Sequence, residues 1–501
     1  MTTTQSSAHT AASERQVRHG PVLAVTCLAL ATVVSAMASL NVALPDIARE
    51  TQADQTQLSW IIDAYSLVFA ALLLPAGALG DRFGRRRALV AGLALFGLAS
   101  AAAAVSTTPE VLIALRAVLG VGAALVMPAT LSTITSTFPR ARRAGAVGVW
   151  SAVAGASAVL GLLASGTLLE FFSWPAVFWL NVGLAVAAVF GTLRLVPESA
   201  ESEPAPLDVV GGVLVTLGLG IGVYAVIEAP EAGWSDPSTL GGICAGLAVL
   251  AVFVAWEWRQ EYPLLNPRLF RNRRFSAGSI SITLQFFAFF GFIFVVMQYL
   301  QLVRQDSALV AALSILPMPA ALMPTSRISH RLTGRFGERG PWFTGLLLVG
   351  LALALLSQLE ADSSYWFVVS GLVPLGAGLG LAMAPATTAI TDALPKSLQN
   401  VGSAMNDLSR EVGGALGIAV LGSLLNATYR DELKLPRVSG EVADAARSSL
   451  AAAHHIGGPV AAQAQRAFID ALQTALLCAS GVALAAAVIV SVLLHRRNNA
   501  F

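Results

Sequence analysis

Five ionisable side chains stand inside long stretches otherwise almost free of charge: Asp63, Arg116, Asp407, Arg410 and Glu411. Asp407, Arg410 and Glu411 are spaced i, i+3, i+4, so on a helix they share one face and can pair acid with base. Two carboxyls beside an arginine can take up and give up a proton while the cation stays charged, because arginine does not titrate in proteins. Asp63 and Arg116 each stand alone in their stretch. An ionisable group in the middle of a bilayer costs at least ~2.5–3.5 kcal/mol, so each of the five is a candidate for function.

The elements that must carry these residues follow from composition. The 501 residues are 55% hydrophobic and only 12% charged, about half the charge of an ordinary soluble chain. Mean hydropathy is +0.70. The apolar residues fall into blocks of the length that crosses ~30 Å of hydrocarbon. Fourteen such spans are expected, at about 21–44, 58–79, 88–105, 109–135, 144–169, 175–195, 209–228, 239–257, 276–303, 309–328, 342–358, 366–390, 403–425 and 468–494. The chain therefore reads as an all-α polytopic membrane protein. The run after Gly20 is too long for the apolar core of a signal peptide and is taken as a retained first span.

An even number of spans puts both ends on one face. Of the 31 Lys and Arg residues, 22 fall on that face, seven on the other and two, Arg116 and Arg410, within spans. The excess predicts cytoplasmic N and C termini. The one long loop on the opposite face, 426–467, contains a possible amphipathic helix at Val442–Ala453, followed by His454 and His455.

Other chemistry is poorly served. A net charge of +2 gives no nucleic-acid surface, and Cys27, Cys244 and Cys478 are far apart inside apolar runs, as small buried hydrophobes are. The six histidines supply no metal-spaced set on a span, and no phosphate-binding loop is present, so neither an enzyme nor an ATP-driven pump is expected. No metal and no cofactor are expected.

Two loops resemble each other. Gly80-Asp81-Arg82-Phe83-Gly84-Arg85-Arg86 follows span 2, and Gly334-Arg335-Phe336-Gly337-Glu338-Arg339 follows span 10. The first begins 59 residues after the start of span 1, and the second, aligned at Thr333, 57 residues after the start of span 9. Nearly equal offsets predict two six-span halves, 21–195 and 276–495, joined by an inserted pair of spans within 196–275, with short tails at 1–20 and 496–501. Repeated halves with a site between them near the midplane suit a protein that rocks to expose that site alternately to each face.

With these residues the chain resembles the major facilitator superfamily, whose characteristic loop between spans 2 and 3 reads here Gly77-Ala-Leu-Gly80-Asp81-Arg82-Phe83-Gly84-Arg85-Arg86-Arg87. Asn41-Val-Ala-Leu-Pro45, Trp60-Ile-Ile-Asp63-Ala-Tyr65, Pro263–Phe275 and Gly402–Gly414 narrow the resemblance to the fourteen-helix drug/proton antiporters. It covers residues 21–495. It implies a monomeric exporter in the cell membrane that exchanges lipophilic, often cationic, drug-like molecules for protons; a carrier of one narrow cargo shares every motif.

The same resemblance implies that Gly77, Gly80, Asp81, Arg82, Gly84, Arg85 and Arg86 form a latch in which Asp81 faces the start of span 13. Arg116 matches an arginine of span 4 thought to take part in proton coupling, holding a neighbouring carboxylate in its charged form until conformation or substrate separates them; the alternative is a static buried ion pair. In span 5 the antiporter motif keeps Gly161 and Gly166, but Leu162 stands in place of its proline and Ser165 in place of a glycine. Ala36 stands where several exporters of cations carry an acid.

That leaves Asp63 as the first choice of proton carrier, against a reading as a helix-start carboxylate. Asp407, Arg410 and Glu411 read as a gating or coupling network, or as an interfacial pair tying span 13 to the loop. Phe286, Phe289, Phe290 and Gln285 of span 9 can share a face and, with Tyr65, are expected to line the cargo cavity.

Overall fold

The computed structural model describes residues 19–51, 53, 55–198, 206–394, 399–435, 446, 447, 450, 453 and 456–495, apart from certain side chains, among them those of Asn41, Pro45 and Asp63. Fourteen of the described helices are long and apolar enough to cross a membrane. They are α1 (His19–Thr51), α2 (Gln55–Phe83), α3 (Arg85–Ala104), α4 (Pro109–Thr137), α5 (Arg140–Phe171), α6 (Pro175–Leu195), α7 (Val209–Ala232), α8 (Pro237–Glu257), α9 (Arg273–Gln298), α10 (Pro317–Phe336), α11 (Arg339–Leu356), α12 (Tyr365–Thr391), α13 (Gln399–Glu432) and α14 (Gly458–His495).

Local chemistry sets the boundaries. Asn272, Ser364 and Asp236 cap α9, α12 and α8 by accepting from backbone N–H groups of the first turn. The span containing α10 starts with a separate short helix, Ala308–Ser314; the chain breaks at Ile315 and Leu316, ahead of Pro317. The stretch 80–87, read as a loop, is a corner instead. Residues 80–83 finish α2, Arg85–Arg87 begin α3, and Gly84 alone turns between them at φ +104°, which favours glycine. Helix α1 runs on through Pro45, and α10 runs beyond residue 328, because polar residues past the apolar window remain helical. In the long loop Ala446, Leu450 and Ala453 are helical and buried; Val442, His454 and His455 lie outside the described residues.

One apolar core is built mainly from α1–α6 and a second from α9–α14. The packing repeats between them: α1 on α5, α2 on α4, α3 on α4 and α3 on α6 correspond to α9 on α13, α10 on α12, α11 on α12 and α11 on α14. Even the closest crossings recur. A Cβ on Gly122 of α4 would lie 2.9 Å from the Gly92 carbonyl oxygen of α3, and one on Gly378 of α12 would lie 2.6 Å from that of Gly345 of α11. Small residues let membrane helices approach in this way. The halves meet where α2 packs on α13 and α5 on α10, a pair of contacts related by the same repeat. Helices α7 and α8 pack on each other and reach the bundles through α7, which lies against α2 and α13. The fold is thus two six-helix bundles with two inserted helices.

Candidate functional site: a closed cleft between the halves

The cleft between the bundles is lined by Val33, Val34 and Met37 of α1, Tyr65 and Phe69 of α2, Met127 of α4, and Ala154 and Ala158 of α5. From the other half come Phe286, Phe289 and Phe290 of α9 with Arg410 and Glu411 of α13. Its free space is about 20 Å³, enough for one water, where drug-sized pockets need ~300–1,000 Å³. The cleft must widen to admit cargo.

The three phenylalanines form a cluster, with ring centroids 5.1–6.0 Å apart. Gln285 is a correction to the expected lining. Its amide donates to Ser281 Oγ at 2.8 Å, beside the indole of Trp342, which donates to the same hydroxyl at 2.7 Å. The side chain therefore serves packing inside the second half. Tyr65 lines the cleft and donates to the Val33 carbonyl at 3.1 Å.

The charged face of α13 sits at the interface. Asp407 is wholly buried; Asn406 donates to its Oδ1 at 3.3 Å, and Arg410 Nη1 stands 3.6 Å from the same oxygen. That is an ion pair beyond hydrogen-bond length. Asp407 Oδ2 and Arg410 Nη1 have no hydrogen-bond partner among the described residues. Aromatic faces hold the guanidinium instead, with Phe286 at 4.5 Å and Trp150 of α5 at 5.1 Å. Such contacts are worth ~2 kcal/mol or more when desolvated. The Trp150 indole is fixed in turn by its donation to Thr130 Oγ1 of α4 at 3.0 Å. Trp150 is a site residue that sequence reasoning misses: its only signal is one tryptophan among the small residues of span 5.

Arg116 of α4, 1% exposed, is drawn to α2: its Nε donates to the Ile61 carbonyl at 2.7 Å, and its guanidinium lies 4.5 Å from the Tyr65 ring. Asp63 belongs to the same stretch of α2, but its side chain lies outside the described residues.

Around the Gly84 corner, Asp81 accepts from the Val401 backbone N–H at the start of α13 at 3.2 Å and pairs with Arg85 at 3.2 Å. Arg86 donates to the Leu193 carbonyl, and Arg82 lies over the Phe83 ring. Gly77 and Gly80 are buried in the last turns of α2. Two further ties join the halves: Ser326 Oγ donates to the Gly148 carbonyl at 2.6 Å, and Arg143 pairs with Asp392 at 3.6 Å. On the opposite face Gly166 of α5 meets Leu309, and deeper in α5 a Cβ on Gly161 would lie 2.5 Å from the Ser35 carbonyl oxygen of α1. Ser165 is fully buried, and its hydroxyl has no hydrogen-bond partner among the described residues.

Repeated bundles, a buried charged face and an aromatic cleft between the halves are the architecture of a multi-pass membrane transporter. Residues 26–418 match the Major Facilitator Superfamily, and the chain belongs to it. It is 34% identical to the tetracenomycin C resistance and export protein of Streptomyces glaucescens, over 96% of this chain and 93% of that one. It is 32% identical to the multidrug efflux pump LfrA of Mycolicibacterium smegmatis, over 95% and 96%. Among solved structures, the human organic anion transporter MFSD10 shares the fold, with a TM-score of 0.63 at 14% identity over 95% of this chain and 100% of that one.

Proposed function

We propose that this protein exports drug-like, lipophilic molecules across the cell membrane in exchange for protons, by alternating access around the cleft. The observation that carries the reading is the cleft itself. Aromatic side chains of α2 face Arg410, Glu411 and the α9 phenylalanines across the junction of the halves, and Asp407 is buried on the same helix as Arg410 and Glu411. Relatives named for drug and antibiotic export support the choice of cargo. The excess of basic residues on the face of both chain ends supports cytoplasmic termini, so that Asp81 and Val401 latch the cytoplasmic side. One chain supplies both walls of the cleft, so the transport unit is a monomer. Protons are carried by the Asp407 and Glu411 carboxyls beside Arg410, with Asp63 of α2 as a further carrier and Arg116 of α4 as a further coupling residue.

A second reading, one narrow cargo, is favoured by the relative named for a single antibiotic, tetracenomycin C.

Efflux of ethidium from loaded cells tests the proposal. Cells making the protein lose dye faster than cells without it, a protonophore removes the difference, and Asp407→Asn removes it too. Efflux that continues with the protonophore contradicts proton exchange. No efflux of any of a panel of dyes, with the protein folded in the membrane, favours the narrow cargo.

A further inference from the structure

The buried Arg410 guanidinium is held in an unusual way. Its carboxylate partner stands 3.6 Å off, its Nη1 makes no hydrogen bond among the described residues, and two aromatic faces flank it. Those faces come from different halves, Trp150 from α5 and Phe286 from α9. Phe286 also lines the cleft, beside Arg410 and Glu411. Arg410 therefore occupies a Phe286 face on which a flat or cationic cargo would stack.

We propose that Trp150 is a positioning residue: with Phe286 it forms an aromatic box that keeps Arg410 off the carboxyls, and cationic cargo that takes over the cleft face of Phe286 drives Arg410 onto Asp407 and Glu411, expelling a proton. The inference rests on the export reading and adds a means of exchange. The proton leaves a protonated carboxyl for water in the cleft, and Arg410, a cation throughout, then faces a carboxylate; α13 thereby gives up one positive charge, which an arriving cationic cargo returns to the site. Of the other lining and flanking groups, Tyr65 of α2 lines the cleft with Arg116 of α4 against its ring, while the lining residues of α1, α4, α5 and α9 are uncharged. When the halves part, Trp150 leaves with α5 and Arg410 stays with α13, so opening of the junction has the same effect as cargo.

The test is proton release on adding tetraphenylphosphonium to purified protein in weakly buffered detergent, with bound cation measured in parallel. Wild type releases protons in proportion to cation bound. Trp150→Leu still binds but loses the release, and Trp150→Phe, which keeps a ring, restores it. Thr130→Val, which frees the indole without removing it, gives a partial loss and serves where Trp150→Leu fails to fold. Release by Trp150→Leu or Thr130→Val equal to wild type per cation bound overturns the role of Trp150, and so does the absence of release from wild type. Neither result removes the export reading, which stands or falls on dye efflux from cells.

Discussion

Arg410 and Asp407 are mutually dependent. A buried charge that loses its partner costs ~3–5 kcal/mol, whereas removing both charges is far cheaper. Arg410→Ala is therefore expected to lower the thermal stability of the purified protein sharply, and Asp407→Asn in the same chain to recover most of the loss. A double variant as unstable as Arg410→Ala alone counts against the pairing. Arg410→Lys is not conservative here, because a compact ammonium does not stack between Phe286 and Trp150 as a planar guanidinium does. The triad on α13 is legible in the sequence because its spacing is local. Trp150 is not, since it reaches Arg410 from the other half of the chain, and no local pattern encodes that meeting. Gln285 is misplaced for a related reason: helical spacing groups it with the cleft phenylalanines but cannot show that its amide donates to Ser281, whose hydroxyl also accepts from Trp342.

At the scale of elements, apolar runs reveal how many helices cross the membrane but not where each one stops. Helices α1, α10 and α13 extend past their apolar windows, since backbone hydrogen bonds continue at the interface without apolar side chains. The corner at Gly84 shows the converse: glycine and arginine read as a loop, yet a single residue makes the turn. That corner brings Asp81 to the N-terminal end of α13, where it accepts from Val401 N–H. A carboxylate in such a place is worth ~0.5–2 kcal/mol. Asp81→Ala is expected to shift the balance toward opening of this face by roughly two- to thirtyfold, the same energy expressed as a ratio. A cysteine placed at Ala154, in the cleft, would then be labelled faster from the face of the chain ends. An unchanged labelling rate removes Asp81 from the latch.

The whole molecule repeats one bundle twice, and the repeat reaches down to the glycine crossings of α3 on α4 and α11 on α12. The sequence betrays it through nearly equal offsets of two short motifs, each with a glycine at positive φ, Gly84 and Gly337. The interface breaks the symmetry. Asp81 ties α2 to α13, but the aligned position in the second half is Gly334, and there α10 meets α5 through Ser326 and the Gly148 carbonyl instead. The charged triad of α13 and the phenylalanine cluster of α9 likewise stand on the second half alone. The cleft closes to about 20 Å³ only because both bundles contribute to its walls, a property that no single stretch of sequence contains. The central claim, exchange of cargo for protons, is tested most directly in liposomes of purified protein given an acidic lumen and external ethidium. The account predicts that dye accumulates in the lumen only while the pH gradient lasts and not with Asp407→Asn. Equal accumulation with and without the gradient would contradict it.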